Sequence, residues 1–264
     1  MARRRADVAL TEAGLFPSRE QARAAILAGR VTLAGVPVTK AGQPVTQDAE
    51  FSVRPALEYV SRGGHKLAGA LDDFGMDVHG VDAVDVGAST GGFTDCLLQR
   101  GARRVTAVDV GYGQLAWSLR SDERVTVVER TNIRHVAGEL PGAPFALAVI
   151  DVSFVGLAKV LPAVASVLAP GGEVVALVKP QFEAGKQRVG KRGVVRDASV
   201  HADILREVLG QVAEQGWTVR GLTWSPVTGP QGNIEFWLLL AREGLPVAVD
   251  PDAVVAAAHA ALEG

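Results

Sequence analysis

The chain has 264 residues, 48% of them hydrophobic, and carries 27 Lys/Arg against 29 Asp/Glu for a net charge of -2. That length holds one full α/β domain plus a small companion, and a single cysteine, Cys96, excludes an internal disulfide framework and points to a reducing cytoplasm. No run approaches the roughly 20 apolar residues of a membrane span, and no apolar stretch follows the basic start Arg3-Arg4-Arg5, so a soluble protein without a secretion signal is expected. The charge is uneven. Residues 1–56 carry 8 Lys/Arg against 5 Asp/Glu and the remainder 19 against 24, so a mildly basic head precedes an acidic body.

In the head, the spacing of Val8, Leu10, Ala13 and Leu15 predicts a helix from Arg5 that closes at Gly14. Ser18 with Gln21 three residues on forms a capping box. It opens a second helix, Arg19 to Ala28, that Gly29 ends. Arg19 and Arg23 share one face of it, with Ala22, Ala25 and Ile26 on the other. Val31 to Val38 reads as a hairpin turning at Gly35, and Phe51 to Arg54 as a further short strand. These elements predict a small α+β domain over residues 1–55, a linker over 56–61 and a second domain over 62–264.

The head resembles the small RNA-binding module first seen in a ribosomal small-subunit protein and found again in pseudouridine synthases and tyrosyl-tRNA synthetases. The matching residues are Ser18-Arg19, Ala22, Ile26, Gly29-Arg30-Val31 and the Gly35 hairpin. The resemblance implies that Arg4, Arg5, Arg19, Arg23, Arg30 and Lys40 contact RNA phosphates, setting register rather than reading sequence. Any one of these cations also reads as part of a solvated face.

The body alternates strand and helix, which predicts a parallel sheet covered on both faces. Strands are expected at about 82–86, 104–109, 125–128, 145–151, 173–179, 217–224 and 234–241. Helices are expected at about 64–75, 92–100, 114–120, 155–168 and 199–215, with a closing helix over 247–262. Only Pro226 to Gly232 separates the last two strands, too short for a crossover, so that pair must be antiparallel. A Rossmann-like seven-stranded sheet with an antiparallel last strand is the α/β architecture of class I S-adenosylmethionine-dependent methyltransferases.

The first of these strands runs into the glycine turn Asp85-Val-Gly-Ala-Ser-Thr-Gly-Gly-Phe-Thr-Asp95, and Asp109 ends the second. A carboxylate about 20 residues beyond such a turn grips an adenosine ribose in nucleotide-binding folds. Serine at position 89 stands where the dinucleotide fingerprint has the glycine that admits a pyrophosphate. This residue and the antiparallel pair argue against a nicotinamide oxidoreductase. S-adenosylmethionine is therefore the expected ligand, held by Asp85, Gly87, Ser89, Thr90, Gly91, Gly92, Phe93 and Asp109, with Asp151 at the next strand end. Asn132 either meets the adenine edge or caps the short helix that follows it.

Ligands in open α/β sheets bind beyond the carboxyl ends of the strands. Asp151 and Lys179 stand at two such ends, Glu235 starts the antiparallel strand at the same edge, and Lys66 opens the helix in Ser61-Arg-Gly-Gly-His-Lys-Leu67. In order, Lys66, Asp151, Lys179 and Glu235 resemble the catalytic set of FtsJ-like RNA ribose 2′-O-methyltransferases. With Asp151-Val-Ser-Phe154, Val178-Lys-Pro-Gln-Phe-Glu183 and Gly232-Asn-Ile-Glu-Phe236, the whole chain resembles the TlyA family of rRNA methyltransferases, also labelled hemolysin A.

The family resemblance implies methyl transfer to cytidine 2′-hydroxyls of ribosomal RNA in the large subunit, and the basic start resembles longer members that modify both subunits. Ribosomal RNA or subunits would be the partners, with no membrane, no required metal and a monomeric enzyme. Lys179 either removes the hydroxyl proton or only steers the oxygen. An unperturbed lysine titrates near ~10.4, so as a base it needs burial and the neighbouring Lys66 to lower that value, against Asp151 and Glu235. Lys186, Arg188, Lys191, Arg192 and Arg196, interleaved with glycines after Lys179, read as an RNA-gripping loop together with Arg62. His65 reads as packing at a helix start, and the His and Cys residues lack metal-ligand spacing. A non-catalytic ribosome-assembly factor with the same fold is the competing expectation, and the intact charged set argues against it. A membrane-active hemolysin finds no amphipathic basic helix to support it.

Overall fold

The computed structural model describes residues 3–54, 58–136, 138–190 and 193–262, with the side chains of Lys186 and Gln187 outside that description. The chain divides into two compact units, Met1–Glu58 and Tyr59–Gly264.

The first unit runs β1 (Arg4–Arg5), α1 (Ala6–Glu12), α2 (Arg19–Leu27), β2 (Val31–Leu33), β3 (Val36–Pro37), β4 (Pro44–Val45) and β5 (Phe51–Val53). β2 pairs antiparallel with both β3 and β5, and β1 with β4. Ser18 caps α2 by accepting from the Gln21 amide, and Ala22, Ala25 and Ile26 face a core completed by Ala6, Leu10, Val31, Val38 and Val45. The first helix is shorter than its apolar spacing predicts. Arg5 is extended and paired across to Pro44, so the helix starts at Ala6 and stops at Glu12.

The second unit contains α3 (Arg62–Asp73), β6 (Asp82–Val86), α4 (Gly92–Gln99), β7 (Arg104–Val108), α5 (Trp117–Arg120), β8 (Val125–Val128), β9 (Phe145–Ile150), α6 (Leu161–Val167) and β10 (Leu168–Val178). It continues with α7 (Pro180–Glu183), α8 (Gly185–Arg188), α9 (Ala198–Glu214), β11 (Thr218–Trp224), β12 (Phe236–Ala241) and α10 (Pro251–Leu262). The seven strands lie in the order β11-β12-β10-β9-β6-β7-β8, with β12 antiparallel to both its neighbours and the other pairs parallel. The period-two pattern of β12 shows how the sheet is covered. Phe236, Leu238 and Leu240 face α6 and α9, while Trp237 and Leu239 face α3 and α4.

Three helix boundaries moved, one of them the start of the closing helix, which is Pro251 rather than 247. The helix expected over 155–168 is a 3₁₀ turn, Leu157–Lys159, followed by α6, and Leu168 already belongs to β10. Pro170-Gly-Gly172 then shifts the register between Leu168 and Glu173. The helix expected over 114–120 keeps only Trp117–Arg120.

The chain leaves β6 outward through β7 and β8, then returns to β9 on the other side of β6. This reversal opens a crevice at the carboxyl ends of β6 and β9, where open sheets take their ligands.

Candidate active site

The glycine turn fills that crevice. Gly87 has φ +90°, and a Cβ there would lie 2.3 Å from the Asp151 carbonyl oxygen, so only glycine lets the turn pass under the end of β9. Ser89 is also left-handed, at φ +49°. Its amide donates to Asp109 Oδ2 (2.7 Å) while the Gly111 amide donates to Asp109 Oδ1 (2.6 Å). Each oxygen retains acceptor capacity, which suits a ribose diol. Beside it lies a cavity of about 390 Å³ lined by Asp109, Asn132, Ile133, Val152, Phe154 and Val155 among others. Apolar walls with the half-buried carboxylates of Asp109 and Asp151 at their edge fit an adenosine. Asn132 uses its side-chain oxygen to accept from the Arg134 amide, as a cap to the 3₁₀ turn Ile133–His135, and also lines this cavity.

Three residues of the turn work from behind it. Asp85 is fully buried, and its Oδ2 accepts from the Thr94 amide (2.9 Å) and hydroxyl (2.7 Å), which ties β6 to the first turn of α4. Its Oδ1 is buried with no hydrogen-bond partner among the described residues. Burial, its largest influence, pushes the Asp85 carboxyl up to about 7, with Asp151 adding in the same direction. Phe93 packs on Trp237 in the core, with ring centroids 5.4 Å apart. Gly92 is where α4 meets α3, since a Cβ there would lie 2.3 Å from Ser61 Oγ.

A second cavity, about 250 Å³, opens on the other side of the turn and is lined by Arg62, Lys66, Thr90, Gly92, Phe93 and Lys179 among others. Gly87, Ser89 and Asp151 line both cavities. The four charges form two ion pairs. Lys66 Nζ donates to Glu235 Oε2 at 2.5 Å, with Glu235 fully buried and Lys66 8% exposed. Lys179 pairs with Asp151 and donates to Ser153 Oγ (3.0 Å). The pairs differ in depth. Glu235 lies behind Lys66 and lines neither cavity, whereas Asp151 lines both and Lys179, paired to it, lines the smaller one. Removing one member of the deeper pair would strand a buried charge, a loss of about 3–5 kcal/mol. Gly229 leaves room for that pair, because a Cβ there would fall 2.2 Å from Glu235 Oε1.

Sequence reasoning did not single out Ser153, Phe154, Phe182 or Glu183. Phe154 is left-handed (φ +64°), 90% exposed and 4.8 Å from the Phe182 ring. Lys179 Nζ stands 5.9 Å from that second ring. Their signal lay in the Asp151-Val-Ser-Phe154 and Lys179-Pro-Gln-Phe-Glu183 runs themselves, but the pairing across two strand ends is visible only in three dimensions.

Several cations expected to meet RNA have local partners. Arg4 pairs with Glu12, both Arg5 and Arg19 with Asp7, and Arg188 with Glu207, while Arg30 donates to the Arg54 carbonyl. The more exposed of these pairs, Arg4–Glu12 and Arg188–Glu207, hold by only about 0–1 kcal/mol, whereas Asp7 is buried beneath Arg5 and Arg19. Arg23, Lys40, Arg62 and Arg196 are exposed. Lys191 and Arg192 lie outside the described residues, as does the Lys186 side chain. His65 meets the Tyr59 ring edge-on at 5.1 Å, and Cys96 is buried in the α4 core.

The comparisons agree with this geometry. The profile of the FtsJ-like methyltransferases matches residues 59–242, and that of the S4 domain residues 4–51. The Mycobacterium tuberculosis 16S/23S rRNA (cytidine-2'-O)-methyltransferase TlyA is 48% identical over 92% of both chains. The chain belongs to the FtsJ-like methyltransferases, in the TlyA (hemolysin A) family. Hemolysin A of Brachyspira hyodysenteriae, 38% identical over 88% of this chain and 97% of its own, is a further relative. A solved structure from Streptococcus thermophilus carrying the hemolysin label superimposes with a TM-score of 0.76 at 43% identity, covering 100% of this chain and 98% of that one. Despite that label, no helix among the described residues is long and apolar enough to cross a membrane. Nor do the described residues gather three or more His, Cys, Asp or Glu into a metal-holding group.

Proposed function

We propose that this TlyA-family chain transfers a methyl group from S-adenosylmethionine to a cytidine 2′-hydroxyl of ribosomal RNA, with the S4 head gripping RNA phosphates. The observation that carries the reading is the junction of the two cavities. Asp151 and the Gly87–Ser89 turn belong to both walls, and Lys179 is held there by Asp151 and Ser153. A donor in the larger cavity and a ribose in the smaller would meet across that wall.

In this reading Asp109 holds the cofactor ribose, Asn132 and Ile133 flank its base, and Gly87 to Gly91 bed its amino-acid end. Asp85 supports the turn from behind through Thr94. The bound sulfonium supplies an activated methyl group. The remaining work is alignment of a weak nucleophile, worth several powers of ten in rate when the reacting atoms are held in line. Lys179 does this by donating to the hydroxyl oxygen, aimed by Asp151 and Ser153. As the carbon–oxygen bond forms the oxygen turns strongly acidic, and its proton passes to solvent water, since Lys179 stays protonated as the donor. The buried Lys66–Glu235 pair fixes the floor, and the exposed Phe154–Phe182 pair offers an aromatic face for a base. Arg62, which lines the smaller cavity, and Arg188 and Arg196, which line a separate one, would provide phosphate contacts.

The test is transfer of labelled methyl into unmodified ribosomal subunits. Lys179→Ala should lower turnover by at least about a hundredfold while calorimetric affinity for S-adenosylmethionine stays within about twofold. Near-normal turnover in that variant contradicts the assignment. Tight subunit binding without any transfer by the wild-type chain would favour an assembly factor instead.

A further inference from the structure

We propose that Glu183 is a positioning residue that clips the loop after β9 to the turn after β10, fixing Asp151 and Lys179 relative to each other and to the donor cavity. The inference rests on the functional reading of those two residues. Lys179 and Glu183 bracket α7, a single helical turn. Glu183 reaches back across the strand ends, and its Oε1 accepts from the Leu157 amide at 2.8 Å. Leu157 opens the 3₁₀ turn Leu157–Lys159, whose N-cap, Gly156, has no side chain to satisfy the free amides there. A carboxylate from another segment therefore does the capping. The lack of a side chain at Gly156 also makes the space for it, since a Cβ there would lie 2.9 Å from Glu183 Oε2.

The clip sits at the base of a row of contacts between the same two segments. Lys179 to Asp151 and Ser153, and Phe182 to Phe154, are the outer ones. Phe154 is 90% exposed and Ser153 is exposed, whereas Glu183 is half-buried. Burial pushes its carboxyl above the ordinary glutamate value, against the Leu157 hydrogen bond and the nearby Lys159 charge. Asp151 to Val155, the loop so anchored, is also a wall of the larger cavity. Loss of the clip should therefore loosen both the cofactor wall and the group that aims the hydroxyl.

Three variants test this. Glu183→Ala should lower kcat by at least about tenfold and weaken S-adenosylmethionine binding by about threefold or more in calorimetry, with KM for ribosomal subunits within about twofold. Glu183→Gln keeps an acceptor for the Leu157 amide and should restore both quantities to within about threefold of wild type. Gly156→Ala meets no backbone obstacle, because Gly156 lies at φ -71° and ψ 145°, yet its methyl pushes the carboxylate aside. It should reproduce the Glu183→Ala pattern, and combining the two should cost nothing further, since both break one contact. The proposal is overturned if Glu183→Gln is as impaired as Glu183→Ala, which would make the carboxylate charge itself the requirement. It is equally overturned if Gly156→Ala leaves kcat and cofactor affinity unchanged. Turnover by Lys179→Ala would defeat the catalytic reading alone, because cofactor binding in the Glu183 and Gly156 variants still tests the clip.

Discussion

Asp85 shows how a residue's position can be more legible than its bonding. Its place at the end of the first strand suggested contact with the cofactor; its side chain is fully buried, with Oδ2 held by the start of α4 and Oδ1 without a partner among the described residues. That burial has a measurable consequence. The folded-state value is raised to about 7 from 3.8, so the group's contribution to stability is complete below 3.8 and is lost as pH rises through 7. An asparagine carries no such penalty. Asp85→Asn should therefore gain melting temperature relative to wild type as pH rises from 5 to 8, by a few degrees for a difference of roughly 1–4 kcal/mol. A constant difference between the two proteins across that range, measured without added cofactor, would show that Asp85 is ionised in the folded chain throughout. By contrast, Lys66, Asp151, Lys179 and Glu235 were readable as a set because strand ends place charges at a common edge. Their division into a buried pair and a junction pair was not, since partner choice depends on how deep each side chain lies.

At the scale of elements, the strands were plain because a sheet covered on both faces demands short apolar runs, and the antiparallel last strand followed from a seven-residue connection. What failed were the boundaries with irregular backbone. The apolar spacing after Val155 looks helical throughout, but the capping of Leu157 by Glu183 and the Pro170-Gly-Gly172 interruption break it into a 3₁₀ turn, a short helix and an early strand. The glycine turn is the element on which the site depends most. Gly87→Ala would force a methyl to 2.3 Å from the Asp151 carbonyl at a positive φ, so either the turn or the end of β9 must move. The expected result is loss of cofactor binding by at least about tenfold together with a drop in stability on the order of 1–3 kcal/mol. Binding isotherms matching wild type would mean that the turn is not the cofactor bed.

At the scale of the whole molecule, the two compact units match two different families, S4 at residues 4–51 and FtsJ-like methyltransferase at 59–242. A basic RNA-binding head joined to a methyl-transfer body is the arrangement expected of an enzyme whose acceptor is a large RNA. Under the proposed function the body holds the chemistry, and the head would add affinity through phosphates that carry no sequence information. The hemolysin label shared with some relatives finds no membrane-crossing helix to rest on among the described residues. The central claim is therefore about the acceptor atom. It is tested most directly by incubating the purified chain with labelled S-adenosylmethionine and unmethylated ribosomal subunits, digesting the RNA to nucleosides and identifying the labelled product. The structure and its relatives predict label in 2′-O-methylcytidine, abolished by Lys179→Ala. Label on a base, or on no nucleoside at all, would contradict the account.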